Sequence, residues 1–88
     1  MRVRFRRSFA RDLKAIHDDA LLDRVQHVIE AVEEAQSLKE VTGVAKLAGT
    51  SEFYRVRVGE FRIGLAIEGD EVEFVRCLHR REIYRYFP

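Results

Sequence analysis

With 88 residues the chain can fill one hydrophobic core but not two, and 47% hydrophobic and 35% charged side chains describe a folded globule. The formal net charge is only +1, so overall charge makes no case for a nucleic-acid partner; the placement of individual arginines has to make it. A lone cysteine, Cys77, excludes an internal disulfide, and His17, His27 and His79 are too scattered for a zinc set, so no metal or cofactor is expected and a reducing cytoplasm fits.

The chain reads as a single domain over residues 1–88, with no repeat, linker or low-complexity stretch. Its basic start leads into no apolar signal core, and no run approaches the roughly 20 apolar residues of a membrane span. Charge is unevenly spread. Residues 1–16 hold six basic and one acidic side chain, whereas residues 17–40 hold two basic and seven acidic.

Arg2, Arg4 and Arg6 alternate with Val3 and Phe5, the pattern of a short strand with one buried face. Ser8 is placed to cap a helix through Phe9, Leu13 and Ile16, and Asp18 or Asp19 to cap a longer one. In that second helix Leu21, Leu22, Val25, Val28, Ile29 and Val32 recur at helical spacing while Asp23, Glu30, Glu33 and Glu34 face outward. Two helices so closely joined should form a hairpin. Residues 36–51 read as a loop with the apolar anchors Leu38, Val41, Val44 and Leu47. Three runs rich in Val, Ile and aromatics follow, at about 52–58, 61–68 and 71–78, broken by Gly59-Glu60 and Gly69-Asp70, which suit type II′ turns. The order is β-α-α-β-β-β: an α+β fold with a helical hairpin packed on one face of a twisted, mainly antiparallel sheet.

Tight turns fix register, and register decides which side chains share a face. The first turn sets Arg57 opposite Arg62, Val56 opposite Ile63 and Arg55 opposite Gly64; the second sets Leu65 opposite Phe74 and Arg62 opposite Cys77. One face then gathers Tyr54, Val56, Val58, Phe61, Ile63, Leu65, Ile67, Val72, Phe74 and Leu78 as a core. The other gathers Arg55, Arg57, Arg62 and His79, with the small residues Gly64, Ala66, Val75 and Cys77 between them leaving a hollow. Like charges placed across a strand pair cost stability, and cations around a hollow are what a phosphodiester needs for binding and for charge developing in a transition state. The same arginines would also serve as an ordinary solvated face, with Glu60, Glu68 and Glu73 in reach as partners. Arg76 alone breaks the pattern, falling on the core face unless a bulge or the sheet rim accommodates it.

In the tail, His79 can exchange protons near neutral pH, and Tyr84 can stack on a base or donate a proton. The alternative is that Ile83, Tyr84 and Phe87 only pin the terminus, with Arg80, Arg81 and Arg85 solvated. Cys77 has no His partner and reads as a small filler.

Three stretches together resemble the RelE/ParE superfamily of type II toxin–antitoxin toxins: Lys46-Leu47-Ala48-Gly49, Phe53 through Ile63 (FYRVRVGEFRI) and His79 through Arg85 (HRREIYR). The element order matches across essentially the whole chain. The resemblance implies a cytoplasmic toxin neutralised by a cognate antitoxin, the pair together binding operator DNA. In the RelE-like branch it implies metal-independent cleavage of mRNA on the ribosome, the 2′-hydroxyl attacking the adjacent phosphate to leave a 2′,3′-cyclic phosphate. By position it assigns Arg55 and Arg57 to holding the phosphate, Arg62 to transition-state charge, Arg80 to a second tail arginine and Tyr84 to base stacking. Lys46 and Arg81 are implied as RNA contacts. Arg in place of Lys at 55 and 57 removes tunable general bases, because a guanidinium is a poor proton acceptor; His79 is then expected to move the proton. The competing expectations are a ParE-like DNA gyrase inhibitor without catalysis, and an inactive toxin fold serving only in repression.

Overall fold

A computed structural model describes all 88 residues, Met1–Pro88. In chain order it forms β1 (Arg2–Phe5), α1 (Arg7–Lys14), α2 (Asp19–Glu34), a 3-10 turn (Leu38–Glu40), β2 (Val44–Lys46), β3 (Phe53–Val58), β4 (Phe61–Glu68), β5 (Glu71–His79) and α3 (Ile83–Tyr86). The strands make one sheet in the order β1-β5-β4-β3-β2, in which β1 runs parallel to β5 and every other pair is antiparallel. This is the α+β arrangement that the sequence predicts, with one strand more. β2 lies inside the expected loop; at three residues it is too short to show an alternation of its own and exists by pairing with β3.

The two glycine corners behave as their sequence demands. Gly59 and Gly69 have φ of +59° and +62°, while no residue other than glycine has positive φ, which is the type II′ pattern. The β3–β4 register follows: Arg57 pairs Arg62, Val56 pairs Ile63 and Arg55 pairs Gly64. Helix α1 packs on β5 and α2 on β1 and β3. Phe9, Leu21, Val25 and Val32 are buried there against Val56, Val58, Ile63, Leu65, Val72 and Phe74, each large apolar side chain contributing about 1.5–3 kcal/mol. Asp18 caps α2 by accepting the Leu21 N–H at 3.1 Å. Ser8 does not cap α1. Its hydroxyl lies within the helix and donates to the Val75 carbonyl at 2.5 Å, and Arg6 takes the cap position.

That contact marks the main departure from the expected pairing. Leu65 pairs with Phe74, but Gly64 pairs with Arg76, so Val75 is an extra residue on β5. Beyond Phe5, where β1 ends, α1 takes its place along the outer edge of β5. Asp12 accepts the Cys77 N–H at 2.9 Å and the Arg76 guanidinium on both carboxylate oxygens, at 2.8 and 3.1 Å. Arg76 therefore leaves the core face, and every later residue of β5 changes sides. Arg62 lies opposite Leu78, not Cys77; Cys77 turns into the core, and Leu78 turns away from it.

The small residues of the open face do not leave a hollow there. Val75, Ile83 and Phe87 are buried as a second cluster with Ala66, Leu47, Phe53 and Leu78 around them. Gly64 is what lets this happen, since a Cβ on it would stand 2.7 Å from the Phe87 ring. The tail thus covers the middle of the sheet and emerges beside the arginine end of β3 and β4. No helix is long and apolar enough to cross a membrane.

Candidate functional site

At that end the chain builds an open hollow of about 390 Å³, lined by Arg55 and Arg57 from β3, Arg62 from β4, and Arg80, Arg81 and Tyr84 from the tail. Alternation places the three strand arginines on one face, and the β3–β4 turn sets their register. The tail residues reach it because β5 ends at His79 and Ile83 anchors the turn that follows.

Two of the strand guanidinium groups, those of Arg55 and Arg62, are steadied by carbonyls and not by carboxylates. Arg55 Nη1 donates to Gly43 O at 2.9 Å, and Arg62 Nη1 donates to Gly59 O at 2.8 Å and Phe61 O at 2.9 Å. None of Arg55, Arg57 or Arg62 enters an ion pair: Glu60 pairs with Arg80, and Glu73 with Arg4 and Arg6. Five cations around one cavity repel each other, and the fold tolerates this without neutralising the three on the strands. Such an arrangement suits a ligand that brings its own negative charge, and guanidinium N–H groups match phosphate oxygens in shape as well as charge. Tyr84 is 59% exposed at the rim, with its ring free to stack on a planar group.

Two residues expected near this site lie elsewhere. His79, carried past the β5 bulge, turns to the helix side, where its ring meets Phe61 edge-on at 5.7 Å and its Nδ1 accepts the Arg81 N–H at 3.1 Å. Lys46 pairs with Tyr54 on the face opposite Arg55, and lines an apolar groove with Leu38, Val44 and Tyr54. The Asp12–Arg76 pair lies outside the residues singled out by pattern, although the sequence holds a signal for it: Asp12 stands three residues after the buried Phe9, on the apolar stripe of α1. Hydrogen bonding to Asp12 raises the pKa of Arg76, and burial pushes the Cys77 thiol up to about 12. Cys77 is thereby a packed neutral thiol and no nucleophile.

Residues 3–84 match the family described as the ParE toxin of the type II toxin–antitoxin system parDE. Across its full length, and the full length of the relative, the chain is 38% identical to Toxin RelE3 of Methanocaldococcus jannaschii. The chain belongs to the RelE/ParE superfamily of toxins. Putative toxin RelE1 of the same organism is 30% identical to this toxin over 91% of the chain and 89% of its own. Among solved structures, a chain of the RelB–RelE antitoxin–toxin complex from Methanococcus jannaschii superposes on it with a TM-score of 0.82 at 36% identity, covering 97% of this toxin and 99% of that chain. The archaeal RelE–RelB complex from Pyrococcus horikoshii shares the fold, with a TM-score of 0.74 at 21% identity over 93% of the toxin and 97% of that chain.

Proposed function

We propose that this toxin cleaves mRNA on the ribosome, with the arginine hollow as its active site. The observation that carries the reading is the meeting of Arg55, Arg57 and Arg62 with Arg80, Arg81 and Tyr84 around one cavity, the strand arginines free of carboxylates. In this scheme the 2′-oxygen of the message attacks the neighbouring phosphorus, the bond to the 5′-oxygen breaks, and a 2′,3′-cyclic phosphate and a 5′-hydroxyl result. Arg55 and Arg57 hold the non-bridging oxygens. Arg62, oriented by its two carbonyls, meets the charge that builds in the transition state, where a fixed cation lowers the barrier most. Tyr84 stacks on a base and holds the strand in line for attack. The 2′-hydroxyl loses one proton and the 5′-oxygen gains one; with His79 turned away, Tyr84 is the one lining side chain besides the guanidinium groups that can take part in that exchange.

A second reading has an observation of its own. A cavity lined by five arginines and one tyrosine offers little for proton transfer near neutral pH, which suits a gyrase inhibitor that binds without chemistry. Induced expression in cells separates the two. Cleavage predicts message breakdown and arrested growth with wild type, and neither with Arg62→Ala; growth arrest that persists in Arg62→Ala with intact message favours gyrase.

The toxin acts in the cytoplasm as a single domain and is restrained by a cognate antitoxin that binds it, a pairing of the kind the RelB–RelE antitoxin–toxin complex holds, and the pair binds operator DNA. The partner would bring an acidic or apolar C-terminal segment that folds on this surface. Purification from cells that also express the neighbouring gene should yield a tight complex; free toxin alone would contradict this.

A further inference from the structure

Among the cations of the hollow, Arg80 is the exception, because it already has an anion. The Glu60 carboxylate lies 2.8 Å from Arg80 Nε, and the Glu60 carbonyl accepts the Arg80 N–H at 2.8 Å. Glu60 occupies the second position of the β3–β4 corner, next to Gly59, whose carbonyl steadies Arg62. One turn of chain thus holds a side chain from each half of the site. The two ways of holding differ. Arg62 is bound by neutral carbonyls and keeps its charge available, whereas Arg80 is neutralised. No other carboxylate pairs with an arginine of the hollow.

The pair is also built to give way. Its side chains are 52% and 66% exposed, so water and salt screen it, and it is worth no more than an ordinary surface ion pair. A strand phosphate carries the same single charge but can take two N–H bonds from the guanidinium, where Glu60 meets only Nε with one oxygen. The backbone bond between residues 80 and 60 holds the chain in place whichever anion Arg80 contacts.

We propose that Glu60 is a resident counter-anion that a phosphate of the bound strand displaces from Arg80, so that Glu60 sets how tightly the site grips nucleic acid. This rests on the nuclease reading of the hollow. Glu60 touches no reacting atom in that scheme and is a positioning residue acting through Arg80. It keeps the toxin from holding any passing polyanion strongly, because each strand must first compete for the tail arginine.

The test is binding of a short 2′-O-methylated oligoribonucleotide, which has no free 2′-hydroxyl to attack, followed by fluorescence anisotropy across a salt series. Glu60→Gln should bind about two- to five-fold more tightly at low salt. The slope of log K against log salt should stay nearly the same, since Arg80 meets a phosphate in both proteins; it should become less negative by about 0.7 in Arg80→Gln, which loses that one contact. Arg80→Gln should weaken binding, and adding Glu60→Gln to it should then change neither affinity nor slope. An equal gain from Glu60→Gln with and without Arg80 would overturn the proposal, since Glu60 would then act only as a distant charge; so would an unchanged single variant. Wild type that binds no strand even at low salt would overturn the nuclease reading and this inference together, an outcome distinct from the other two. Thermal melts of each variant show whether the fold is kept.

Discussion

Arg62 shows how a surface arginine becomes a fixed charge. Two carbonyls of its own turn orient the guanidinium, and no carboxylate dulls it. Replacing it with alanine should lower the cleavage rate in a translation reaction by about 10²–10³-fold, the usual cost of removing one preorganised donor. Lysine should restore little, because an ammonium is a point charge and cannot present two parallel N–H groups to the phosphate oxygens as a guanidinium does. Gly64 matters for the opposite reason, the space it leaves. Gly64→Ala drives a methyl into the Phe87 ring, so it should cost about 1–3 kcal/mol and loosen the tail, read as a lower urea midpoint and faster C-terminal proteolysis. Cys77 gives a pH dependence. Burial, and then the Asp12 carboxylate, lift its folded pKa to about 12, above the value of about 8.5 for an open thiol. The folded state therefore keeps its proton where the unfolded chain loses it. That stabilisation is complete below about pH 8.5 and declines as pH rises toward 12. Urea midpoints at pH 8 and pH 10 should fall further apart in wild type than in Cys77→Ala, by about 1–2 kcal/mol of stability at pH 10.

Among the elements, the end of β5 decides most. Its outer edge is sealed by β1 up to Phe5 and by α1 beyond it, and the exchange of partners coincides with the bulge. Asp12 holds that junction with three hydrogen bonds while nearly buried, its side chain 7% exposed. Removing one member of such a pair leaves a charge without a partner, so Asp12→Ala should cost about 3–5 kcal/mol in urea unfolding. Arg2→Ala, which breaks the exposed pair with Asp70, should cost less than about 1 kcal/mol and serves as the control. The same junction explains what could be read in advance. Turn chemistry at Gly59 is local, so the Arg55, Arg57 and Arg62 face followed from it. The second turn fixed β4 against β5 only as far as Leu65 and Phe74. The bulge depends on a side chain from α1, some sixty residues earlier, and no local pattern carries that information except the misfit of Arg76 itself. His79 was misplaced for this reason alone. β2 escaped because it needs β3 to exist, and Lys46 went with it to the other face.

The whole molecule separates its tasks across the sheet. One face is the core under α1 and α2, and the other is divided between the tail cluster of Ile83 and Phe87 and the arginine hollow. A net charge of +1 conceals this, because acidic residues crowd α2 while the guanidinium groups meet at the β3–β4 end. The fold class was legible because it rests on hydrophobic periods and glycine corners. The membership of the hollow was legible only in part, because the tail reaches it through tertiary packing. Whether this cluster of cations cuts a message is tested most directly by primer extension on mRNA from a cell-free translation reaction with purified toxin. Wild type should give discrete stops within codons, absent with Arg62→Ala. Intact message with fully folded wild-type toxin, in a preparation that blocks supercoiling by gyrase, would contradict cleavage.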